Sequence, residues 1–325
     1  MTIATTMQAW VCRRYGGPEA LTCETVPLPA LGVRDVLVRV QATTVSSADA
    51  CVRALRMPPG FGLMGRLALG LKGPRRPILG TEAAGVVAAV GAEARRFRPG
   101  DRVIVFADMK MGCHAEYVAA GEDGLIIPMP TNLDLAEAAS LCFGGTTALH
   151  FIRRAGLAPG ERLLVVGACG TVGSAFVQLA KAMGAEVTAL TSAGNMGLAK
   201  LLGADAVLDY GREDFTALGQ SWDVIADTVA ATRFIRCLPV LKEGGRYLTL
   251  AGGLVDLLAR RKGTKRRIGG PARAKKEDLA ELARRAAEGR FKPLIDQVYP
   301  FTEMRAAHGR VDGGHKRGSV VVRVP

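Results

Sequence analysis

The sequence lacks the features of a disulfide-stabilised, zinc-ribbon or membrane-spanning protein. Its seven cysteines are odd in number and never occur as Cys-x-x-Cys, which favours reduced thiols over a disulfide framework or a four-cysteine zinc site. No apolar run approaches the ~20 residues that cross a bilayer. The first residues lack the basic start and apolar core of a secretory signal. These absences predict a cytoplasmic protein without a transmembrane segment.

Acidic and aromatic residues are also scarce. The 325-residue chain has 43 Lys or Arg against 30 Asp or Glu, a formal net charge of +13, and residues 260–276 hold nine bases and no acid. Such a run is either a solvated loop or a surface that attracts anions. Aromatics form 5% of the chain and none interrupts the run, so no nucleic-acid partner is expected. The glycines and like charges of residues 260–276 predict a surface loop rather than a strand.

The most informative feature present is a glycine-rich turn. Residues 163–166 form an apolar run typical of a buried strand, glycines follow at 167, 170 and 173, and apolar residues then recur with helical spacing up to 183. This order forms a phosphate cradle, because glycines let backbone N–H groups approach a pyrophosphate and the helix N-terminus favours its charge. Ala168 stands at the first glycine position of Gly-x-Gly-x-x-Gly, so the motif alone is weak evidence.

Downstream of this turn, strand-like and helix-like segments alternate. Strands are predicted at 186–191, 206–209, 222–227 and 245–250, and helices at 196–202 and 232–241. The pattern predicts a parallel sheet covered on both faces, with its ligand at the carboxyl ends of the strands. The predicted cofactor-binding residues are Gly167, Ala168, Cys169, Gly170, Thr171, Val172, Gly173, Thr191, Ser192, Asn195, Tyr210, Thr228, Leu250 and Ala251.

The N-terminal part of the chain has a different pattern. Short strand-like segments at 36–40, 85–90, 102–105 and 115–118 lie between Gly/Pro turns, which is typical of an all-β domain. Residues 58–77 are predicted to form a long loop with an apolar side, either a pocket lid or a packing and dimer surface. The segments from 298 onward are expected to return to the β domain. The predicted fold class is therefore α/β plus all-β.

Six motifs in chain order carry a family resemblance. They are YGGP at 15–18, PILGTEAAGVV at 77–87, RPGDRV at 98–103, CHAEY at 113–117, GGTTA at 144–148 and LGAD at 202–205. Together with the glycine loop they resemble the medium-chain dehydrogenase/reductase superfamily, specifically its zinc-independent quinone-oxidoreductase-like branch. The resemblance implies a GroES-like β domain at 1–143 with a C-terminal return at 291–325, a Rossmann-type doubly wound parallel sheet domain at 144–290, and a nicotinamide cofactor.

The positions that hold catalytic zinc in other members of this superfamily carry unsuitable residues. A cysteine, a histidine and a later cysteine correspond here to Ser46, Thr81 and Phe143, with Cys142 one residue away. Neutral hydroxyls are poor zinc ligands, so no metal is expected. Without zinc to stabilise an alkoxide, the favoured substrates are quinones and α,β-unsaturated carbonyls, which spread the charge themselves. The resemblance implies the same substrate class.

Three residues are candidate catalytic groups. Ser46 lies in the turn where relatives often carry Asn-Pro, His114 lies where relatives often carry tyrosine, and Thr147 is expected to begin the helix that leads out of the β domain. Structural alternatives stand beside these roles. Thr147 is suited to capping the helix that it begins, and Asp49, three residues after Ser46, is suited to capping a helix that opens at Ala50. A lone histidine such as His114 is more often a packed residue than a proton relay.

The end of the second predicted strand of the α/β domain indicates the cofactor. An NAD site normally places an acid there to bind the ribose 2′-OH, and this sequence has none. Thr191, Ser192 and Asn195 are neutral donors compatible with a 2′-phosphate, and Lys200 and Arg212 are the nearest cations. We therefore expect NADPH in preference to NADH.

Three functions remain open at this point. The leading hypothesis is an NADPH-dependent oxidoreductase that transfers hydride to a quinone or an α,β-unsaturated carbonyl. The second is an enoyl reductase acting on a carrier-bound acyl chain, for which the positive surface would receive an acidic carrier. The third is a non-catalytic nucleotide-binding protein associated with a membrane or RNA. A homodimer also remains open.

Overall fold

The chain forms two compact units. The computed structural model describes residues 5–57, 60–250 and 261–325. Of these, unit 1 contains 5–57, 62–143 and 274–325, and unit 2 contains 60–61, 144–250 and 261–273. Residues 274–290, predicted to belong to the α/β domain, lie in unit 1.

The strands divide between the two units. In unit 1 they are β1 (Thr6–Cys12), β2 (Leu21–Pro27), β3 (Asp35–Val45), β4 (Glu82–Val90), β5 (Arg102–Phe106), β6 (Tyr117–Gly121), β7 (Ile126–Pro128), β15 (Ile295–Pro300) and β16 (Ser319–Arg323). In unit 2 they are β8 (Arg162–Val166), β9 (Glu186–Thr191), β10 (Ala206–Asp209), β11 (Trp222–Asp227), β12 (Leu241–Thr249), β13 (Arg261–Lys262) and β14 (Lys265–Ile268).

Among the described residues, unit 1 has fewer helices than strands, as the all-β pattern predicted. The helices of both units are α1 (Ser47–Ala54), α2 (Gly62–Leu69), α3 (Leu135–Ala139), α4 (Cys142–Ala155), α5 (Thr171–Ala182), α6 (Met196–Leu201), α7 (Phe234–Cys237), α8 (Lys276–Ala287) and α9 (Met304–Asp312). Of these, α5, α6 and α7 lie in unit 2, and α4 begins at the end of unit 1.

Unit 1 is organised around the long strand β3. Its main sheet has the order β15-β16-β3-β4-β5-β7, and β6 also pairs with β3. Val36, Val38 and Val40 alternate along β3 and are fully buried in the core of this unit, as a strand with one face in a core requires. The C-terminal strand β16 pairs antiparallel with β3, with Val320 opposite Val45. The predicted return of the C-terminus to the β domain is therefore observed.

Unit 2 is a doubly wound parallel sheet. Its strand order is β10-β9-β8-β11-β12-β14-β13, and the first six of these strands pair in parallel. In order of sequence those six give 3-2-1-4-5-6, the order of a Rossmann-type dinucleotide-binding fold. The order reverses between β8 and β11, so the carboxyl ends of these two strands form the switch point at which such sheets bind their ligands.

The prediction that residues 260–276 form no strand is wrong. Within this segment, Lys265–Ile268 is the sixth parallel strand, β14, paired with β12, and Arg261–Lys262 adds an antiparallel edge strand. Gly263 makes the hairpin between them, with φ of +61°, as the first central residue of a type II′ turn requires. Like charges are tolerated because the residues of the edge strand β13 and Arg266 are exposed to water, while Lys265 pairs with Glu243 at 3.6 Å.

Part of the predicted loop at 58–77 is also helical. Gly62–Leu69 forms the two-turn helix α2. Its Leu63 and Leu67 are four residues apart, the spacing of one helical turn. The helix was not predicted, because this short periodic segment is surrounded by glycines and prolines, which are typical of loops.

Candidate functional site

The glycine turn of unit 2 connects β8 to α5. Gly167 follows the strand with φ of +78°, a conformation that favours glycine. Its N–H donates to the Leu190 carbonyl of the neighbouring strand at 3.1 Å. Gly170 is the N-cap of α5 and offers no side chain to the first-turn N–H groups. No side chain at the N-cap position therefore competes with an anion for these groups.

Gly170 and Gly173 differ in the space around them. A Cβ on Gly173 would lie 2.1 Å from the Gly167 carbonyl oxygen, so only glycine lets the helix approach the strand this closely. A Cβ on Gly170 would lie 3.5 Å from the same oxygen, an ordinary contact, at a φ of −77° that any residue adopts. Gly173 therefore serves packing, whereas Gly170 leaves open space where a ligand can approach the backbone.

Thr228 completes the switch point between β8 and β11. Its Oγ1 donates to the Val166 carbonyl at 2.8 Å. A Cβ on Gly167 would lie 2.9 Å from this Oγ1. The turn after β8 and the turn after β11 are thus in direct contact at the carboxyl edge of the sheet.

Asp227, which was not among the predicted site residues, fixes the loop after β11 through hydrogen bonds. Its Oδ1 accepts from the N–H groups of Val229 and Ala231, and its Oδ2 accepts from the Thr232 N–H at 2.8 Å and the Tyr247 hydroxyl at 3.0 Å. The side chain is fully buried. The sequence signal that could have identified Asp227 is its position as an acid at the end of an apolar strand. Leu250 follows β12 at the same edge, and Ala251 lies outside the described residues.

The turn after β9 contains the predicted selectors between NADPH and NADH. Thr191 is buried at the end of the strand. Ser192 has an extended backbone, and its side chain makes no capping hydrogen bond. The Asn195 Oδ1 atom is buried and has no hydrogen-bond partner in the described part of the chain. A buried amide atom without a partner is unusual in a folded protein, so this oxygen is an acceptor left available at the end of β9.

Tyr210 and Arg212 follow the next strand, β10. The Tyr210 N–H donates to the Thr191 carbonyl at 3.1 Å, which joins this turn to the one after β9. Tyr210 is 58% exposed. The Arg212 guanidinium is exposed and lies 3.8 Å from the buried Asp209 carboxylate. This side chain brings a positive charge to the carboxyl edge of the sheet.

In unit 1, Ser46 is the N-cap of α1. Its Oγ accepts from the Asp49 N–H at 3.2 Å and its backbone N–H donates to Asp49 Oδ2 at 2.7 Å, which together form a capping box. The Ser46 hydroxyl also donates to Asp49 Oδ2 at 2.6 Å. Asp49 Oδ1 also accepts from the Gly80 N–H at 2.9 Å. Asp49 was expected to cap a helix opening at Ala50. Instead the helix opens at Ser47, Ser46 caps it, and Asp49 is the third helical residue.

His114 is a buried histidine with a defined tautomer. Its Nε2 lies 3.0 Å from the Thr44 carbonyl and must therefore donate to it, while Nδ1 has no partner among the described residues. The ring packs edge-on against His308 at 5.3 Å. Burial lowers the pKa of His114 and lowers that of His308 well below its ordinary value. Both rings are therefore neutral near pH 7.

Glu82, in the Gly80-Thr81-Glu82 motif, is a buried carboxyl surrounded by donors. It accepts from the backbone N–H groups of Cys142 and Phe143 at 2.9 and 2.8 Å, and from the Thr44 hydroxyl at 2.8 Å. Burial nevertheless raises the pKa of Glu82 to about 7. Residues at the start of α4 are thereby fixed to β4.

Thr147 does not begin a helix, because α4 starts at Cys142 and places Thr147 in its second turn. Its capping alternative is therefore wrong. Thr147 is half-buried, whereas Ser46 is 5% exposed and His114 is fully buried. Of the three candidate catalytic residues, the structure brings Ser46 and His114 into unit 1 and Thr147 into unit 2.

The residues at the zinc positions do not fit zinc. The Ser46 hydroxyl is bound to Asp49, and Thr81 Oγ1 is a neutral hydroxyl buried without a partner among the described residues. Burial raises the pKa of the Cys142 thiol well above its usual range, which disfavours the thiolate that zinc requires. Across the described ranges, no cluster of three or more His, Cys, Asp or Glu side chains could hold a metal ion.

Comparisons with known proteins agree with this architecture. The alcohol dehydrogenase GroES-like domain matches residues 32–149, and a family described as zinc-binding dehydrogenase matches residues 202–322. The 2-methylene-furan-3-one reductase of Solanum lycopersicum is 30% identical, over 99% of this chain and 80% of its own length. The NADPH-dependent alkenal/one oxidoreductase of Arabidopsis thaliana is 29% identical, over 97% and 79%. The solved structure of the quinone oxidoreductase from Coxiella burnetii matches with a TM-score of 0.87 at 28% identity, over 98% of this chain and 100% of that one.

A GroES-like β unit and a Rossmann-type unit in one chain define the class of medium-chain dehydrogenases/reductases. The chain belongs to this superfamily, in its quinone-oxidoreductase-like branch. Among the helices that the structure describes, none has the length and apolar character needed to cross a membrane.

Proposed function

We propose that this protein is an NADPH-dependent reductase that transfers hydride to a quinone or an α,β-unsaturated carbonyl. The observation that carries the proposal is the glycine cradle at the switch point of unit 2, where Gly173 packs the helix against the strand and Gly170 leaves the helix N-terminus open. The relatives named above act on the same two substrate classes.

Residues at the carboxyl edge of the sheet would hold the cofactor. The turn 167–173 would bind the pyrophosphate with backbone N–H groups, and Thr228 and Leu250 lie beside it at the ends of β11 and β12. The bound nicotinamide would supply the hydride. The protein's own contribution is to orient the dinucleotide and to exclude water.

The preference for NADPH follows from charge at the ends of β9 and β10. No carboxylate follows β9, where it would repel a 2′-phosphate. Ser192 and Asn195 offer neutral polar groups there, and the exposed Arg212 guanidinium offers a positive charge after the neighbouring strand. A 2′-phosphate gains an ion pair with Arg212, whereas the 2′-OH of NADH finds no acid to accept its hydrogen.

The proposed chemistry needs no metal. When hydride is added to the β-carbon of an enone, negative charge spreads onto the distant oxygen, and a hydrogen-bond donor is sufficient to stabilise it. Ser46 and Thr81 are hydroxyls that cannot replace zinc ligands. We therefore propose a zinc-independent reaction, and its restriction to conjugated substrates follows.

Among the candidate catalytic residues, we assign the contact with substrate or nicotinamide to Thr147, because its side chain is partly accessible. Ser46 donates its hydroxyl hydrogen to Asp49 and is nearly buried, and His114 is fully buried against Thr44. We assign positioning roles to these two residues, since each fixes the backbone at the carboxyl end of β3.

Reducing conditions suit the protein, because none of the seven cysteines, all of which the structure describes, forms a disulfide and five of them are buried. We propose a cytoplasmic location on this ground.

A substrate panel tests the proposed function. Purified protein with NADPH is given quinones, enals, enones, enoyl thioesters and simple ketones, with and without exhaustive chelation, and NADPH consumption is followed. Reduction of quinones or enones that survives chelation, together with slow or absent turnover of ketones, is expected. Preference for enoyl thioesters would favour the carrier-linked enoyl reductase instead, and activity that disappears with the metal would contradict the zinc-independent reaction.

A further inference from the structure

The outer face of α2 exposes an apolar stripe to solvent. Leu63, Met64 and Leu67 are 75%, 59% and 55% exposed, and Leu71 just beyond the helix is 65% exposed. The three helical residues fall within about 100° of the helix circumference, by the spacing of an α-helix. Gly65 is buried on the opposite face. The helix packs Leu69 against the core of unit 1 and also exposes a second apolar side to solvent, where an ordinary surface helix is polar.

The charges around this stripe have one sign. From 50 to 81 the sequence has six Lys or Arg and no Asp or Glu. Arg66, Lys72, Arg75 and Arg76 flank the stripe at exposed positions. Two of them brace the segment, because Arg66 donates to the Leu71 carbonyl at 2.9 Å and Arg75 to the Leu67 carbonyl at 2.8 Å. An apolar face with a cationic border matches a surface that is apolar within and anionic at its edge.

A cavity of 210 Å³ lies behind the helix, within unit 1. Ala68 and Leu69 of α2 contribute to its wall. The other lining residues include Met109, Met111, Arg75 and Arg76. Met111 has φ of +54° and ψ of −160°, a region that is almost restricted to glycine. Such strain persists where the surrounding structure requires it, commonly at ligand sites. The same helix therefore carries the exposed stripe and borders a pocket that opens to solvent.

We propose that the segment 62–76 docks on the surface of an anionic lipid bilayer and that the cavity behind α2 receives a lipid-soluble substrate from it. A bilayer fits better than a protein partner, because the stripe consists of flexible aliphatic and thioether side chains without the aromatic anchors typical of protein interfaces. α2 spans about 12 Å, which suits insertion among lipid headgroups rather than crossing. The substrate part rests on the proposed function and specifies its substrates as quinones or enones with long apolar chains.

Vesicle co-sedimentation tests the docking with the full-length protein. The probes are phosphatidylcholine vesicles with and without phosphatidylglycerol. Binding to the phosphatidylglycerol vesicles is expected, with weaker binding at high salt. Leu63→Ser/Leu67→Ser should lower the partition coefficient at least about tenfold, because two apolar side chains no longer enter the lipid. Lys72→Gln/Arg76→Gln should lower it by about tenfold or more on anionic vesicles only.

Two control variants remove exposed aliphatic or cationic side chains outside the segment 62–76. Leu201→Ser/Ile235→Ser changes two aliphatic residues that are 87% and 68% exposed in unit 2, and Arg290→Gln/Arg317→Gln removes two exposed charges of unit 1. Both should bind within about twofold of wild type. Absence of wild-type binding, or equal losses in the control variants, would overturn the proposal. So would a dimer that Leu63→Ser/Leu67→Ser dissociates without affecting vesicle binding, since the stripe would then be a protein interface.

An activity measurement separates this inference from the proposed function. Rates are compared for a long-chain quinone embedded in the vesicles and a short water-soluble quinone. Leu63→Ser/Leu67→Ser should slow the first at least about tenfold and leave the second unchanged. Equal effects on both quinones would overturn delivery from the membrane. If wild type binds vesicles but reduces neither quinone, the docking stands and the proposed function fails.

Discussion

Gly170 is the residue whose substitution separates binding from folding. Its backbone accepts any side chain, and a Cβ there meets only an ordinary contact. We predict that Gly170→Asp folds normally, since aspartate is a favourable N-cap, but loses affinity for NADPH at least about tenfold, because the carboxylate meets the pyrophosphate. Cofactor fluorescence during titration measures the affinity, and thermal unfolding checks the fold.

Gly170→Asn is the control, because asparagine has the size of aspartate without its charge. Its loss of affinity should be clearly smaller. A Gly170→Asp variant that keeps its NADPH affinity within a factor of about two would show that the dinucleotide lies elsewhere.

Ser192 tests the cofactor preference. Wild type is predicted to bind NADPH more tightly than NADH. Ser192→Asp should reverse that order, because a carboxylate after β9 repels a 2′-phosphate and accepts a hydrogen bond from a 2′-OH. Ser192 has an extended backbone and no capping bond, so the change leaves the fold intact. Dissociation constants for both cofactors check it, with Ser192→Asn as the uncharged control. Wild-type binding of NADH as tight as that of NADPH would refute the preference.

Glu82 predicts a pH-dependent stability. Burial raises its pKa from 4.5 to about 7, so between these values the folded chain holds a proton that the unfolded chain has lost. The contribution of Glu82 is therefore fully present below pH 4.5 and decreases as pH rises through 7. Glu82→Gln, which stays neutral, should gain stability relative to wild type between pH 5 and pH 8, by on the order of 3 kcal/mol.

Urea unfolding of both proteins at the two pH values measures this change. Taking the difference between the proteins removes the opposite effect of His308, whose lowered pKa costs stability as pH falls below its ordinary value. The exposed Glu93 supplies the control variant, Glu93→Gln, which should follow wild type. Parallel pH profiles for Glu82→Gln and wild type would contradict the account.

At the scale of elements, the strands with apolar sequences were predictable and the basic strand β14 was not. The bounds of β9, β10 and β11 match the predictions, because each is a short buried run between turns. β14 was missed because Lys265, Arg266 and Arg267 precede its one apolar residue, Ile268. Its position is set by pairing with β12, a contact between distant segments that local sequence does not encode.

The hairpin before β14 depends on Gly263. Its φ of +61° disfavours any other residue, so Gly263→Ala should destabilise the hairpin by about 1 kcal/mol. Hydrogen exchange at the amides of Lys265–Ile268 should then become faster. Gly309 in α9 has open space and a helical backbone, so Gly309→Ala should instead stabilise the protein by about 0.5–1 kcal/mol. Unchanged exchange in Gly263→Ala would contradict the ordered hairpin.

At the scale of the whole molecule, the sequence located the glycine turn and the strand ends of unit 2 better than the surroundings of His114 in unit 1. The glycine turn and the strand ends are local features that a parallel sheet brings to one edge. In unit 1, by contrast, His114 packs against His308, and the buried Arg53 pairs with Asp312. Such contacts join residues some 200 positions apart or more, so burial of His114 was not visible in the sequence.

The central claim is that hydride from NADPH reaches a conjugated carbon without a metal. The most direct test incubates the metal-free protein with an enone and NADPH deuterated at C4 of the nicotinamide, each face in turn, and locates the label by NMR. The account predicts deuterium on the β-carbon of a saturated ketone, with the carbonyl intact. Deuterium on the carbonyl carbon of an allylic alcohol, or no transfer from either face, would contradict it.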